Sequence, residues 1–189
     1  AGTFDMELIE ECAMMAATEA RLNGLHITYA PMVDLCRDAR WGRVMESGGE
    51  DPYLGGEAGK AVIRGYHKGG IACCVKHFAG YGFPEAGKEY NTTDISERNL
   101  KEYVLTPYRE CMKEQPEMVM TSFNLLNGIP ILGHRELMID TLRIEWGFDG
   151  VVISDYSSSM EMVTHGYCED KKECAEIAMN AKLDIQMFD

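Results

Sequence analysis

The chain has 189 residues, 46% of them hydrophobic and 26% charged, a composition that fits one globular domain with a proper core and not a disordered segment. Its 18 basic and 31 acidic side chains give a formal net charge of -13, which argues against non-specific binding to nucleic acid or to an anionic membrane surface. No apolar run approaches the roughly 18 to 20 residues that span a bilayer.

Taken in order, Thr3 is expected to cap a first helix, with Asp5 and Glu7 in its opening turn where the macrodipole favours acids. Leu8, Ile9, Cys12, Met15 and Ala16 recur at helical spacing, and Asn23-Gly24 ends the pattern. Residues 27–30 read as a strand, followed by a long polar loop through Gly49. Asp51 as N-cap with Pro52 at the first helical position opens the next helix, which runs to Lys68 and stops at Gly69-Gly70. Residues 71–75 form the second expected strand, with a glycine-rich loop over 80–93 after it. Ser96 caps a helix to about Glu114, kinked or broken at Pro107.

Residues 118–123 are a third strand and 134–146 a helix. Gly150 then leads into Val151-Val152-Ile153, a β-branched run that reads as a strand buried on both faces. A helix starts near Met160, Asp170 caps a last helix reaching Lys182, and residues 184–188 are expected as a fifth strand. The whole chain, 1–189, is read as one partial domain, and its first residues, Ala1-Gly2-Thr3-Phe4, look like the middle of a longer chain.

Strands alternating with helices mean repeated β-α units and a parallel sheet. Polar groups fall at the end of every strand: Asp34, Lys76-His77, Ser122 with Asn124, Asp155 and Asp189. Chemistry gathered from many strand ends is the habit of a (β/α)8 TIM barrel. An open sheet concentrates it at one switch point, commonly with a glycine-rich phosphate loop, and neither G-x-G-x-x-G nor a P-loop occurs. The fold class is therefore α/β, with about five β-α units of a barrel. Five strands of eight leave sheet edges and helix faces to be completed by other parts of a longer chain.

Asp155, where the buried strand leaves the core, is the candidate nucleophile. Lys76 and His77, in the same place on the second strand, are the candidates to hold a substrate against it. The seven cysteines, at 12, 36, 73, 74, 111, 168 and 174, show an odd count and no C-x-x-C. They are read as reduced and mainly packing, which leans towards a cytoplasmic location. No Cys/His cluster has zinc spacing, so neither metal nor cofactor is expected.

Several blocks together carry a resemblance. They are Ala30-Pro31-Met32-Val33-Asp34, Arg37-Asp38-Ala39-Arg40-Trp41-Gly42-Arg43, Gly49-Glu50-Asp51-Pro52-Tyr53, Lys76-His77-Phe78, Tyr90-Asn91-Thr92-Thr93-Asp94, Thr121-Ser122-Phe123-Asn124 with Asn127-Gly128, and Trp146-Gly147-Phe148-Asp149-Gly150 leading to Ser154-Asp155-Tyr156. Each alone is weak; in this order they are specific. The chain resembles the catalytic barrel of glycoside hydrolase family 3, the retaining β-glucosidases and β-xylosidases. The resemblance implies a nucleophile at Asp155, sugar-holding basic residues at Arg43, Lys76 and His77, an aromatic neighbour at Tyr156, and a supporting loop carboxylate at Glu89. It also implies a β-linked oligosaccharide or glycoside as substrate, and a general acid/base supplied by a downstream domain. Many members are exported, so the compartment stays open.

The residue types suit that chemistry. A retaining glycosidase needs an ionised carboxylate to attack the anomeric carbon, and nearby cations keep an aspartate ionised. Cationic donors to sugar hydroxyls raise the rate where they tighten in the transition state, and aromatic faces such as Tyr156 or Trp41 suit a sugar ring. Asp34 and Asp38 are read as loop-ordering carboxylates, and Arg43 has an ion-pair alternative with Glu46, Glu50 or Asp51. The chain departs from the family pattern at Ala39, where proline is usual, and at Ser157 and Lys182, where glycine is common. The β-N-acetylhexosaminidase subgroup is disfavoured, because the loop after Lys76-His77-Phe78 holds no histidine. The rival reading is a non-catalytic barrel fragment or sugar-binding module.

Overall fold

The computed structural model of the chain describes residues 2–188. Helix α1 (Met6–Leu22) begins at Asp5, whose carboxylate accepts the Leu8 N–H at 3.0 Å. Thr3, the expected cap, instead accepts the Asp5 N–H at 3.3 Å and so holds the true cap in place. Helix α2 (Pro52–Gly69) starts as the sequence predicts, with the Leu54 N–H on the Asp51 carboxylate at 2.7 Å. It stops at Gly70, whose φ of +83 lets its N–H reach the carbonyls of Tyr66 and His67, a left-handed turn that glycine makes at no steric cost. The two helices pack so closely at Gly65 and Gly69 that a Cβ there would lie 2.4 Å from Glu10 O and 2.3 Å from Ala17 Cβ.

Four strands, β1 (Ile27–Thr28), β2 (Ala72–Phe78), β3 (Met118–Thr121) and, after a short hairpin of β4 (Leu125–Leu126) and β5 (Ile129–Pro130), β6 (Val151–Ile153), form one sheet in the order β1-β2-β3-β6. All three pairings are parallel, with Thr28 opposite Cys73, Val75 opposite Val119, and Val119 opposite Val152. Parallel strands laid side by side in chain order are barrel architecture; a doubly wound sheet reverses order at its switch point. Strand β2 runs further than the sequence predicts and carries Lys76 and His77 inside it, with the β2–β3 register shifting between Val75 and Phe78.

The sheet has two lined faces. Cys73, Val75, Val119 and Val152 join Ile63, Tyr108 and Leu142 in the main core under the helices. Cys74, Met118, Met120 and Ile153 form a smaller cluster on the other side. The alternation along each strand is the strand period of two.

The connection before β3 is broken where Pro107 requires it. Helix α3 (Glu97–Asn99) passes into a π-helical turn over Leu100–Val104, and Pro107 sits in the first turn of α4 (Thr106–Met112), where its missing N–H costs nothing. The expected helix over 134–146 is wound as a π-helix, Glu136–Glu145. The β4–β5 hairpin turns on Asn127-Gly128, both at positive φ (49° and 87°), the type I′ geometry that Asn-Gly favours. The last helices are α5 (Ser158–Thr164) and α6 (Lys171–Asn180), the latter capped by Asp170 as predicted.

Two expectations need correction. Residues 184–188 do not form a regular fifth strand; they run beside β6 with one parallel bridge, Ile153 to Ile185. Backbone bonds join them up to Ser154 N–H on Ile185 O at 2.9 Å, but the Met187 N–H is taken by the Ser154 hydroxyl at 2.7 Å, which interrupts the ladder. The expected strand-end carboxylate Asp189 lies outside the described residues. Nor are all the cysteines reduced: Cys168 and Cys174 are disulfide-bonded, with Cα atoms 5.9 Å apart, because the turn after α5 folds back on the start of α6. The other five carry free thiols, four of them buried. Of the described residues, no helix is long and apolar enough to cross a membrane.

Candidate active site

Asp155 leaves the end of β6 with its two carboxylate oxygens in different surroundings. Oδ1 accepts the N–H of Tyr156 at 2.7 Å. Oδ2 is buried, has no hydrogen-bond partner among the described residues, and lies 3.4 Å from His77 Nε2.

His77 is 1% exposed and held on three sides. Its Nδ1 lies 2.8 Å from Asp34 Oδ2, which also accepts the His77 backbone N–H at 2.9 Å. Arg43 Nη1 approaches Nε2 at 3.0 Å. A guanidinium only donates and a carboxylate only accepts, so these partners assign the proton to Nδ1 and leave a lone pair on Nε2. With that tautomer Nε2 has no proton for Asp155, which explains why a contact of 3.4 Å is not a hydrogen bond. Asp34, 2% exposed, is fixed in turn by the Tyr108 hydroxyl, 2.6 Å from its Oδ1 and 2.7 Å from His77 O.

Arg43 is clamped by Glu46 in a bidentate pair, Nε and Nη2 each donating at 2.7 Å. This pair, more than any other contact, holds the Glu46 carboxyl below its ordinary pKa, with burial opposing and the charge of Lys76 adding a smaller effect. The ion-pair alternative for Arg43 and its place beside His77 therefore coexist, on two sides of one guanidinium. The same group lies over the Tyr81 ring, 5.6 Å from the centroid. Tyr81 packs edge-on against His77 and Trp41, and its hydroxyl donates to Glu89. Burial first, then Glu89, pushes the Tyr81 pKa up. The other Glu89 oxygen, Oε1, is buried with no partner among the described residues.

Lys76 is half-buried on β2, and its side chain engages no hydrogen bond or ion pair among the described residues; its charge acts on Glu46 and Cys74. Tyr156 is 56% exposed and stacks on Phe188, centroids 4.8 Å apart and planes 5° off parallel. Together the two rings form an aromatic face next to Asp155.

With this geometry in view, the sequence matches the family described as Glycosyl hydrolase family 3 N terminal domain over residues 1–189. The chain belongs to glycosyl hydrolase family 3. Its curated relatives include a periplasmic beta-glucosidase of Salmonella typhimurium, 37% identical over 195 residues, which take in 100% of this chain and 26% of that protein. A beta-xylosidase of Formosa agariphila is 36% identical over 198 residues, 99% of this chain and 27% of its own. Among solved structures, the beta-glucosidase of Listeria innocua in complex with glucose superposes with a TM-score of 0.95 at 44% identity, covering 97% of this chain and 27% of that one. The chain thus spans about a quarter of the length of the relatives it matches.

The family 3 barrel segment brings Asp155, His77 and Arg43 into one cluster, with Lys76 on the same strand as His77 and Tyr156 next to Asp155. Glu89 joins through Tyr81. Trp41 is not an open sugar face: it is 1% exposed and packed into a cluster with Cys36 and Tyr81. Sequence reasoning undervalued Asp34, which does more than order a loop; its signal was its place at the end of the Ala30-Pro31-Met32-Val33-Asp34 block. Tyr108 and Phe188 were missed. Neither sits in a motif, and their roles come from contacts across 74 and 32 residues of chain.

Proposed function

We propose that this protein belongs to an enzyme that removes non-reducing-end β-linked sugars, glucose foremost, by a retaining mechanism. Asp155 Oδ2 attacks the anomeric carbon and forms a covalent glycosyl-enzyme, which water then hydrolyses. The observation that carries this reading is the state of that oxygen: buried, without a donor among the described residues, at a strand end beside His77, which Arg43 contacts in turn. An orphan buried carboxylate oxygen is costly, and a nucleophile is a sufficient reason for one. The names of the relatives point the same way.

Arg43, Lys76 and His77 bind sugar hydroxyls, with Lys76 the side chain left freest by the protein to do so. Tyr156 offers a ring face, and Glu89 completes the polar wall. The general acid/base lies outside residues 1–189, in a domain downstream of this barrel segment. No nucleic acid or membrane takes part, and no cofactor is needed.

The test is the intact mass of the protein after incubation with a 2-deoxy-2-fluoro-β-glucoside carrying a dinitrophenolate leaving group. So good a leaving group needs little acid assistance. A gain of one fluorosugar mapped to Asp155 supports the proposal. An adduct on another carboxylate refutes the assignment. No adduct with either the fluoroglucoside or the fluoroxyloside, on the full natural chain, favours a non-catalytic sugar-binding module.

A further inference from the structure

At the opposite end of the sheet from Asp155, three side chains from three elements meet. His67 lies in the last turn of α2, Cys73 near the start of β2, and Glu117 immediately before β3. Their ligand atoms all lie within 4.8 Å of one another. His67 Nε2 is 3.2 Å from Glu117 Oε1 and 3.9 Å from Cys73 Sγ. Nothing in the proposed glycosidase chemistry uses these residues.

We propose that His67, Cys73 and Glu117 form a binding site for a borderline-soft divalent cation such as zinc. The distances favour it. Zinc bonds of roughly 2.0 to 2.3 Å at tetrahedral angles put neighbouring ligand atoms about 3.3 to 3.6 Å apart. The observed 3.2 and 3.9 Å straddle that range, so sub-ångström side-chain shifts close the site. One imidazole, one thiol and one carboxylate form a zinc-type set; calcium and magnesium take oxygen ligands almost exclusively.

The cluster is also partly preorganised. The backbone N–H of Cys73 donates to Glu117 Oε2 at 2.9 Å, which turns Oε1 towards His67. Cys73 is fully buried, whereas the His67 and Glu117 side chains are 33% and 45% exposed. The cation enters from solvent on their side, and water fills its fourth position. On binding, the Cys73 thiol gives its proton to solvent and the sulfur becomes a thiolate ligand; His67 ligates through the Nε2 lone pair. The bound ion ties the end of α2 to the entry of two core strands. At the end of a barrel away from its chemistry, such a tie serves stability.

Cobalt(II) and zinc titrations of the full natural chain test this, with free metal removed first by a chelator. One Co²⁺ per chain with thiolate charge-transfer absorption is expected, displaced by Zn²⁺, and Zn²⁺ should raise the thermal midpoint. Losing a ligand should cost at least the ~10 to 100-fold in affinity that outer-shell partners cost, so His67→Ala and Glu117→Ala should each bind at least tenfold more weakly. His67→Ala removes an exposed side chain and keeps the fold even where Cys73→Ser does not; Glu117→Ala also frees the Cys73 N–H, so its fold is checked by circular dichroism before titration. Cys12→Ser, which removes the exposed thiol, should keep the absorption band. A missing band, a band lost with Cys12, or affinity unchanged in both surface variants overturns the site. None of these readouts depends on hydrolysis.

Discussion

Asp155 holds one oxygen on the Tyr156 N–H and leaves the other buried beside a histidine whose facing nitrogen carries a lone pair. If that oxygen is the nucleophile, Asp155→Asn should retain substrate binding and lose kcat by at least about a thousandfold, about 4 kcal/mol of barrier. Steady-state kinetics beside a binding titration separates the two, and unchanged turnover would sink the assignment. Asp34 is the more informative position. An asparagine there can donate its amide to His77 Nδ1, which moves the ring proton to Nε2, where it points at the Arg43 guanidinium. Asp34→Asn should therefore lower kcat/KM by about 10² or more, the scale of general acid–base and positioning losses, while the NMR signature of the His77 tautomer changes; activity retained with an altered tautomer would separate the two. At Lys182 the chain departs from the glycine common in its family, and the residue sits at φ +66. It closes a Schellman motif on α6, with Lys182 N–H on Met179 O at 3.0 Å and Leu183 N–H on Ala178 O at 3.1 Å. A non-glycine residue pays roughly 1–2 kcal/mol in this region, and glycine gives back about 0.5–1 through the unfolded chain. Lys182→Gly should stabilise by about 0.5–1 kcal/mol in denaturant unfolding; a loss of stability would mean that the lysine makes up the strain elsewhere.

Helices α1 and α2 are set by small residues as much as by apolar ones. Gly65→Ala would drive a methyl into Glu10 O and Ala13 Cβ, at 2.4 and 2.6 Å. Backbone on one side cannot give way, so α1 must move, at a cost of about 1–3 kcal/mol, the range for overpacking. A shift of the urea midpoint at constant slope would register it, and no shift would show that α1 floats on α2. This contact was invisible in the sequence: Gly65 and Gly69 read there only as interior and terminal glycines. What was legible is local. Asp51-Pro52, Asp170 and Pro107 each act within a turn of their own position, and the structure follows them. The hairpin at Asn127-Gly128 was equally local and was passed over, because its strands are only two residues each. The cap falls at Asp5 instead of Thr3, a shift of two residues of the kind helix ends commonly show, and it too is local. The Cys168–Cys174 bond spans only six residues, but it needs the turn between α5 and α6, which the sequence pattern did not specify.

For the whole molecule, the strand order settles barrel over open sheet, and strand-end polar residues had already pointed there. They could not say that Asp34, His77, Arg43 and Asp155 touch in series, because Asp34 and Arg43 follow β1, His77 lies in β2 and Asp155 follows β6, and only the side-by-side packing of these strands aligns them. The helices outside the sheet are also joined by ion pairs. Glu10 on α1 accepts from Arg64 on α2 at 2.7 Å and from Lys68. Those hydrogen bonds, Lys68 first, hold its carboxyl below the ordinary value against the opposing effect of burial. A depressed folded pKa places the stabilisation above the unfolded value, about 4.3 for glutamate, and removes it as pH falls through the folded one. Lys68 and Arg64 are 60% and 37% exposed, so solvent screening limits the gain to about 1 kcal/mol. Acidification also relieves the self-repulsion of a chain carrying -13, which works in the opposite direction, so a single melting curve against pH would mix the two effects. Comparison with Glu10→Gln separates them, because the variant keeps nearly all the charge and loses the pair. At pH 7 the wild-type chain should melt higher than the variant, and the two curves should converge as pH falls below the unfolded value, about 4.3. Convergence that also appears at neutral pH in high salt would confirm a screened ion pair. Parallel curves across the whole range would show that Glu10 contributes packing alone, and that α1 is held to the barrel by its glycine contacts.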